Sequence, residues 1–562
     1  MLQPRLRGLL RDSVAGSVTA ALLVPQALAY ALLAGLPPEA GFYAAMAPAF
    51  IYALTGTSPA LSVGPVAVVS LMVATTLAPL AQVGTAVYWQ DALILALLSG
   101  GMLLALGLLR LGMLINFLSF PVISGFAMGA ATLIVLSQLP QAFGVHAGSA
   151  GNAAVQFLNL AKALPATSFV TLAVSGVSIG ILLAAQTILP RFLVARRLPQ
   201  IYATVASRMT PLLLIVTASY CAAHLPQMNG KLQLVGHLPR GLPGLGAIEF
   251  DWPRWRTLLG PAALIGLVGY LEGVSIAQVL ARRHRHEVKA NRELVAVGLA
   301  GIAAAFTHGM PVAGSLSRSV VNDASGARTR VAGAVTGLLV AASSIVLAPM
   351  LETLPRAVLA AVIIVAVLRL FDWRSLLRIW RYDRADGLAW VATTVGVLAI
   401  GAETGFVTGL AMSLLFYIWR TANPHIAEVG HDRHSGLFIG LDRHHELETW
   451  PQLLLVHIDE SLFFGNVAAV QIFVTDRISA RREVTDVILI CDAVNAIDAS
   501  ALQMLEDLCD SLGAGGVTVH LCGVKAQVMD RLEGSLLLRI LGRQRLHASV
   551  PAAISALASP PI

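Results

Sequence analysis

The sequence predicts a polytopic α-helical membrane protein of fourteen spans, a 7+7 inverted repeat with spans three and ten interrupted, followed by a small cytoplasmic α/β domain. Three observations lead there. The chain has 562 residues, 56% hydrophobic and 12% charged, about half the ~25% charge of an average soluble domain. Apolar runs of ~20 residues, each able to cross a ~30 Å hydrocarbon core, recur through the first three quarters. Two of those runs are broken by glycine and proline in matching fashion: Leu61 to Ser70 (LSVGPVAVVS) and His308 to Thr329 (HGMPVAGSLSRSVVNDASGART), which share Pro-Val-Ala.

Taken in order, a basic leader (Arg5, Arg7, Arg11) precedes a span near 14–34, with further spans near 41–55, 62–79, 91–109, 116–138, 168–188 and 201–221. A second set follows near 258–280, 291–307, 314–326, 331–349, 354–370, 385–402 and 404–420. The net charge of +7 comes largely from arginines in short loops: Arg191, Arg196 and Arg197; Arg282, Arg283 and Arg285; Arg374, Arg378, Arg381 and Arg384. With this span count all three clusters fall on the leader's side. The positive-inside pattern therefore makes the charge a report of orientation, with a cytoplasmic N-terminus and no nucleic-acid partner. No signal-peptide cleavage site is recognisable ahead of the first span.

Seven spans per half force the halves into opposite orientation, so if they are repeats they are inverted ones, as in many secondary transporters. Helices starting after Gly64 and Gly314 would then aim their N-termini at each other near the midplane. Such N-termini carry unpaired N–H groups and partial positive charge, which favour an anion. The plainer alternative is that Pro65 and Pro311 merely kink buried helices.

After Arg420 the composition turns polar. The expected division is 1–421 for transport, a His/Asp/Arg-rich connector at 422–449, and a soluble domain at 450–562. Within the last, strand-like 453–458, 484–490 and 517–521 alternate with helix-like 467–478 and 500–512, and two weaker helices follow, an α/β pattern. Cys491, Cys509 and Cys522 lie here without regular spacing, which favours reduced thiols over disulfides.

Glu272, in LIGLVGYLEGVSIAQVLA, is the one charge in an otherwise complete span. A charge at that depth costs roughly 2.5–3.5 kcal/mol on insertion scales, so it faces a cavity or a partner. It is read as a proton carrier or coupling-ion ligand, or else as a structural partner of Arg318. Arg318 follows Gly314 by four residues, where its fork would add to a positive focus for an oxyanion. Gln26 and Tyr30, four apart behind Pro25, share one face of the first helix and offer an amide and a phenol. The run around His284 and His286 sits in a basic loop and is expected to be solvated rather than a metal site, and His431, His434, His444 and His445 lack metal-site spacing. No phosphate-binding loop, nucleophile elbow or zinc signature occurs, so no cofactor, no metal and no enzymatic or ATP-driven activity is expected.

Three stretches carry a resemblance: PQALAYALLAGLPPEAGFY (25–43), SVGPVAVVS (62–70) and PVAGSLSRSVVNDASGART (311–329). They resemble the first-, third- and tenth-span signatures of the sulfate permease (SulP) family of anion transporters. VILICDAVNAIDASALQMLEDL (487–508) resembles the core strand, loop and helix of a STAS domain. The resemblance implies a gate and a core subdomain, an anion site between spans one, three, eight and ten, and a homodimer. By matching position it places Gln26, Tyr30, Ser315, Ser317 and Arg318 at the substrate, with the backbone at Pro65, Val66 and Ala67 and at Gly314 and Leu316. It gives Glu272 the acidic coupling position of proton-driven members. The family's sodium-coupled bicarbonate branch has Asp and a Thr four residues on, where this chain has Glu272 and Ile276. Ser500 matches a serine phosphorylated in free-standing STAS proteins; alternatively it caps the next helix.

The expected function is therefore secondary anion transport in the inner (cytoplasmic) membrane: proton-coupled symport of sulfate or a similar oxyanion. Bicarbonate, a dicarboxylate, or exchange without a proton are the alternatives. The expected partners are the anion, a proton, membrane lipid, a second copy, and a cytoplasmic protein at the STAS domain. A membrane-anchored signalling scaffold is the competing class; it would be free to lose Gln26, Glu272 and Arg318, which this chain keeps.

Overall fold

The structure, a computed structural model, describes residues 2–113, 119–147, 152–197, 200–224, 232–236, 241–285, 287–346, 348–442 and 447–557. The chain forms two compact units, Met1–Ser413 and Leu414–Ile562. The first unit runs α1 (Leu2–Leu33), α2 (Pro38–Thr55), β1 (Val63–Gly64), α3 (Ala67–Leu77), α4 (Ala86–Leu108), α5 (Phe120–Phe143), α6 (Ala153–Ala163), α7 (Phe169–Thr187), α8 (Leu189–Ala195) and α9 (Gln200–His224). It continues with α10 (Trp252–His284), α11 (Ala290–Phe306), β2 (Ala313–Gly314), α12 (Leu316–Ala324), α13 (Val331–Val346), α14 (Ala348–Leu351), α15 (Arg356–Val367), α16 (Trp373–Tyr382), α17 (Arg384–Ala399) and α18 (Ala402–Ala422).

Every expected span falls on one of these helices, while α6, α8, α14 and α16 were not anticipated. Six helices among the described residues are long and apolar enough to cross a membrane unaided. The interrupted pair are not: α12 has 9 residues and α3 has 11, about 14 and 17 Å at 1.5 Å per residue. Each reaches only about half the hydrocarbon thickness, and an extended dipeptide stands where the rest of a helix would be.

Those dipeptides find each other. β1 and β2 pair antiparallel, Val63 with Gly314 and Gly64 with Ala313. The Ser315 amide donates to the Ser62 carbonyl at 3.0 Å. Backbone exposed by breaking two helices is thereby satisfied inside the protein, as hydrocarbon demands. Small residues let α10 press on this seam: a Cβ added at Gly273 would sit 3.2 Å from the Gly314 amide nitrogen, and one at Gly269 would sit 2.9 Å from the Ala313 Cβ. Elsewhere α4 packs on α11 backbone to backbone, a Cβ at Gly298 coming within 2.6 Å of the Leu104 nitrogen, the small-residue packing usual between membrane helices.

The second unit is a six-stranded sheet in the order β4-β3-β5-β6-β7-β8. Its strands are β3 (Ile426–His431), β4 (Phe438–Gly440), β5 (Leu453–Ile458), β6 (Asp486–Ile490), β7 (Thr518–Cys522) and β8 (Leu546–His547). The last four are parallel, joined by α19 (Val467–Ala480), α20 (Ala499–Ala514), α21 (Ala526–Leu532) and α22 (Leu536–Leu541), with α23 (Val550–Leu557) at the end. Alternate residues of the central strands feed two apolar cores: Leu454, Val487, Leu489 and Val519 one, and Leu453, Leu455, Ile488 and Ile490 the other. Both faces are thus covered, which is why these strands read as continuous apolar runs. The stretch 422–449, expected as a connector, contributes β3 and β4; the polar residues around them hid the strands, although Glu428 within β3 is buried and paired with Arg481. Burial pushes the Cys491 thiol up to about 12 and the Cys522 thiol to about 11, which keeps them unreactive.

Candidate functional site

Arg318 occupies the first turn of α12 and is fully buried, 0% exposed. A guanidinium in that setting needs acceptors, and three segments supply them. Its Nε donates to Ser62 Oγ (3.3 Å), and its Nη1 donates to Gln26 Oε1 (3.1 Å) and to the Pro65 carbonyl (3.0 Å). Among the described residues Nη2 is buried with no hydrogen-bond partner, and it lies beside Gly64, where an added Cβ would meet it at 3.5 Å. One positively charged N–H pair is thus left open against the seam.

The backbone adds to this. α3 starts at Ala67 with Val66 at its N-cap, α12 starts at Leu316 with Ser315 at its N-cap, and neither N-terminus is capped by a side chain. The first N–H groups of a helix have no partner within it, so two sets of amide donors begin within a few residues of Arg318. Ser315 Oγ and Ser317 Oγ stand 3.4 Å apart at the same turn. Tyr30, one turn beyond Gln26 on α1, is buried and lies in the electrostatic field of both Arg318 and Glu272.

Glu272 is half-buried on α10. It interacts with Arg318 through space, and among the described residues no ion pair within 4.0 Å joins them. The structural salt bridge weighed from sequence is therefore not formed. The structure brings Gln26, Tyr30, Pro65, Val66, Ala67, Gly314, Ser315, Ser317, Arg318 and Glu272 to one region. Leu316 contributes backbone alone: its side chain is 51% exposed and lines a separate cleft with Ile276 and Val279.

Other polar residues of the two interrupted stretches join them. Ser62 accepts from Arg318, Ser319 Oγ accepts from the Ser62 amide at 2.9 Å, and Asn322 Nδ2 donates to the Ala60 carbonyl at 3.1 Å. Ser319 and Asn322 are legible in the sequence as polar groups at membrane depth; Ser62, in the other interrupted span, was not singled out, and Glu293 was missed altogether. Glu293 is buried on α11 and accepts from Tyr52 Oη (2.9 Å), the Thr57 amide (2.6 Å), the Thr57 hydroxyl and the Ser58 amide (3.2 Å). Its bonding capacity is filled, so it holds structure rather than ligand. Glu403 on α18 accepts from Thr76 Oγ1 at the end of α3.

His284 is not simply solvated: its Nε2 donates to Asp323 at 2.6 Å and its Nδ1 accepts from Arg328 at 2.9 Å. His431 bonds Glu448 at 2.8 Å, His434 is exposed, and His286, His444 and His445 lie outside the described residues. Among the described residues no cluster of His, Cys, Asp or Glu is arranged for a metal. In the C-terminal unit the helix after the 498–500 loop is capped by Asp498, whose Oδ1 accepts from the Ala501 amide at 2.8 Å. Ser500 is not the cap; it is exposed in the first turn.

A helical membrane bundle in which two broken segments meet at a buried cation defines a transporter with an anion-attracting centre. The chain belongs to the sulfate permease family: that family's profile matches residues 9–393, and the STAS domain profile matches residues 444–553. Among relatives, a probable sulfate transporter (4.2) of Arabidopsis thaliana is 32% identical over 96% of this chain and 80% of its own. A probable sulfate transporter of Mycobacterium tuberculosis is 33% identical over 98% and 95%. The fold is that of murine solute carrier 26 family member A9, described as an anion transporter in the inward-facing state (TM-score 0.88, 23% identity, 97% of this chain and 91% of that one).

Proposed function

We propose that the protein is a secondary active transporter of the cytoplasmic membrane that carries sulfate, or a similar small oxyanion, together with a proton. The observation that supports this best is the open Nη2 of Arg318, buried where the uncapped N-termini of α3 and α12 begin. A tetrahedral or planar oxyanion would accept from Nη2 and from the first amides of both helices, while Gln26 and Tyr30 supply neutral donors. Glu272, near Arg318 but not paired with it, is positioned to take up the proton that offsets the anion's charge. We assign transport to 1–421 and a regulatory or dimer-forming role to the STAS domain of 450–562, with both termini cytoplasmic. In this reading the domain is open to cytoplasmic proteins, with Ser500 exposed to a kinase.

The test is uptake of labelled sulfate into proteoliposomes of the pure protein, with and without an inward proton gradient, for wild type and Glu272→Gln. Stimulation by the gradient in wild type, absent in the variant, is expected. Sulfate flux indifferent to gradient and variant would remove the proton role, and flux of bicarbonate or fumarate without sulfate would replace the substrate.

A further inference from the structure

We propose that the exposed face of α16 binds the phosphate headgroup of an anionic phospholipid. α16 lies in the chain between α15 and α17, both at expected spans, so it sits at the membrane boundary. Asp372 starts it, accepting from the Ser375 amide at 3.1 Å and from the Ser375 hydroxyl at 2.6 Å. Ser375 is buried, Leu376 and Ile379 are half-buried, and the rest of the helix faces out.

That outward half is sorted into two arcs. At 100° per residue, Trp380, Trp373 and Leu377 fall side by side, and Arg381, Arg374 and Arg378 fall in the next arc. Trp373 is 61% exposed, Leu377 58% and Trp380 42%, which is costly in water and favourable at the interface of a bilayer. The three arginines line a shallow cavity with Leu377 and Tyr382. Among the described residues no hydrogen bond or ion pair within 4.0 Å engages any of their side chains. The two carboxylates flanking them in sequence have other partners: Asp372, in the field of Arg378, accepts from Ser375, and Asp383 accepts from the Ala385 and Asp386 amides. Three guanidinium forks beside an aromatic and aliphatic strip match a phosphate attached to acyl chains: the forks take the phosphate oxygens and the strip takes the chain roots. A free phosphate would use the forks and leave the strip uncovered. The inference rests on the membrane fold and not on which anion is carried.

The test uses the full chain in phosphatidylcholine vesicles containing an equal fraction of either brominated phosphatidylglycerol or brominated phosphatidylcholine, with tryptophan fluorescence as readout. Trp373→Phe/Trp380→Phe identifies the signal from α16 among the 8 tryptophans. In wild type that signal should be quenched more by the brominated glycerol lipid. Arg374→Gln/Arg378→Gln/Arg381→Gln should lose the preference while quenching by the choline lipid persists, and inorganic phosphate should leave the preference intact. Equal quenching by the two lipids in wild type overturns the proposal. So does loss of the preference on adding phosphate, which would reassign the cavity to a soluble anion. Should the triple variant not fold, Arg378→Gln with a reduced preference and the wild-type comparison carry the test.

Discussion

Arg318 is held by Ser62, Gln26 and the Pro65 carbonyl while keeping Nη2 open, and only a planar five-donor group does this. Arg318→Lys keeps the charge but must give up either its anchors or the ligand. Losing one charge-assisted hydrogen bond, about 1.5–3 kcal/mol, should raise the KM for anion uptake about 10- to 100-fold; an unchanged KM would show that Arg318 does not touch the anion. Glu272 was legible in the sequence as a lone charge in an apolar span, and Arg318 as a charge just after the Gly/Pro break of the tenth span. Glu293 was not, since it stands beside Arg292 at the start of a span and its partners Tyr52, Thr57 and Ser58 lie more than 230 residues away. His520 shows the same limit in the soluble unit. It is 4% exposed, with Nε2 3.1 Å from Asp486 and Nδ1 3.1 Å from His547. Burial, opposed by Asp486, holds its pKa below the usual 6.5. As pH falls the unfolded chain therefore takes up the proton first. The stability that neutral His520 contributes is present above about pH 6.5 and is lost below it. The melting temperature of this unit should fall between about pH 7.5 and 5.5, and His520→Asn should flatten that slope.

Between elements, the fit of α10 on β2 is the tightest constraint near the site. A Cβ at Gly314 would come within 2.6 Å of the Gly273 Cα, which is backbone and cannot yield, while one at Gly273 would come to 3.2 Å from Gly314. Overpacking costs about 1–3 kcal/mol, so Gly314→Ala should lower the thermal stability of detergent-solubilised protein more than Gly273→Ala. The reverse order would mean that the seam does not bear on α10. Hydropathy located every expected span because lipid imposes length and composition together. It missed α16, whose arginines and tryptophans alternate too closely for any apolar run. It also missed β3 and β4, where pairing, of β3 with β5 and of β4 with β3, rather than residue type makes the strand.

For the molecule as a whole, two units with separate apolar cores should unfold as two events rather than one. Leu489, 0% exposed in β6, belongs to the apolar core of the second unit. Leu489→Ala should remove about 2–5 kcal/mol there, moving one calorimetric transition and leaving the other in place. A shift of both would mean that the units melt together. The antiparallel pairing of β1 with β2 sets a different rule for the first unit. Backbone bonds stitch the two short helices into one piece, so neither can swing aside without tearing its neighbour's hydrogen bonds. A gate made by parting α3 from α12 would have to break that pairing. An anion held where we propose, at the N-termini of both, would then travel with the pair as a passenger rather than pass between them.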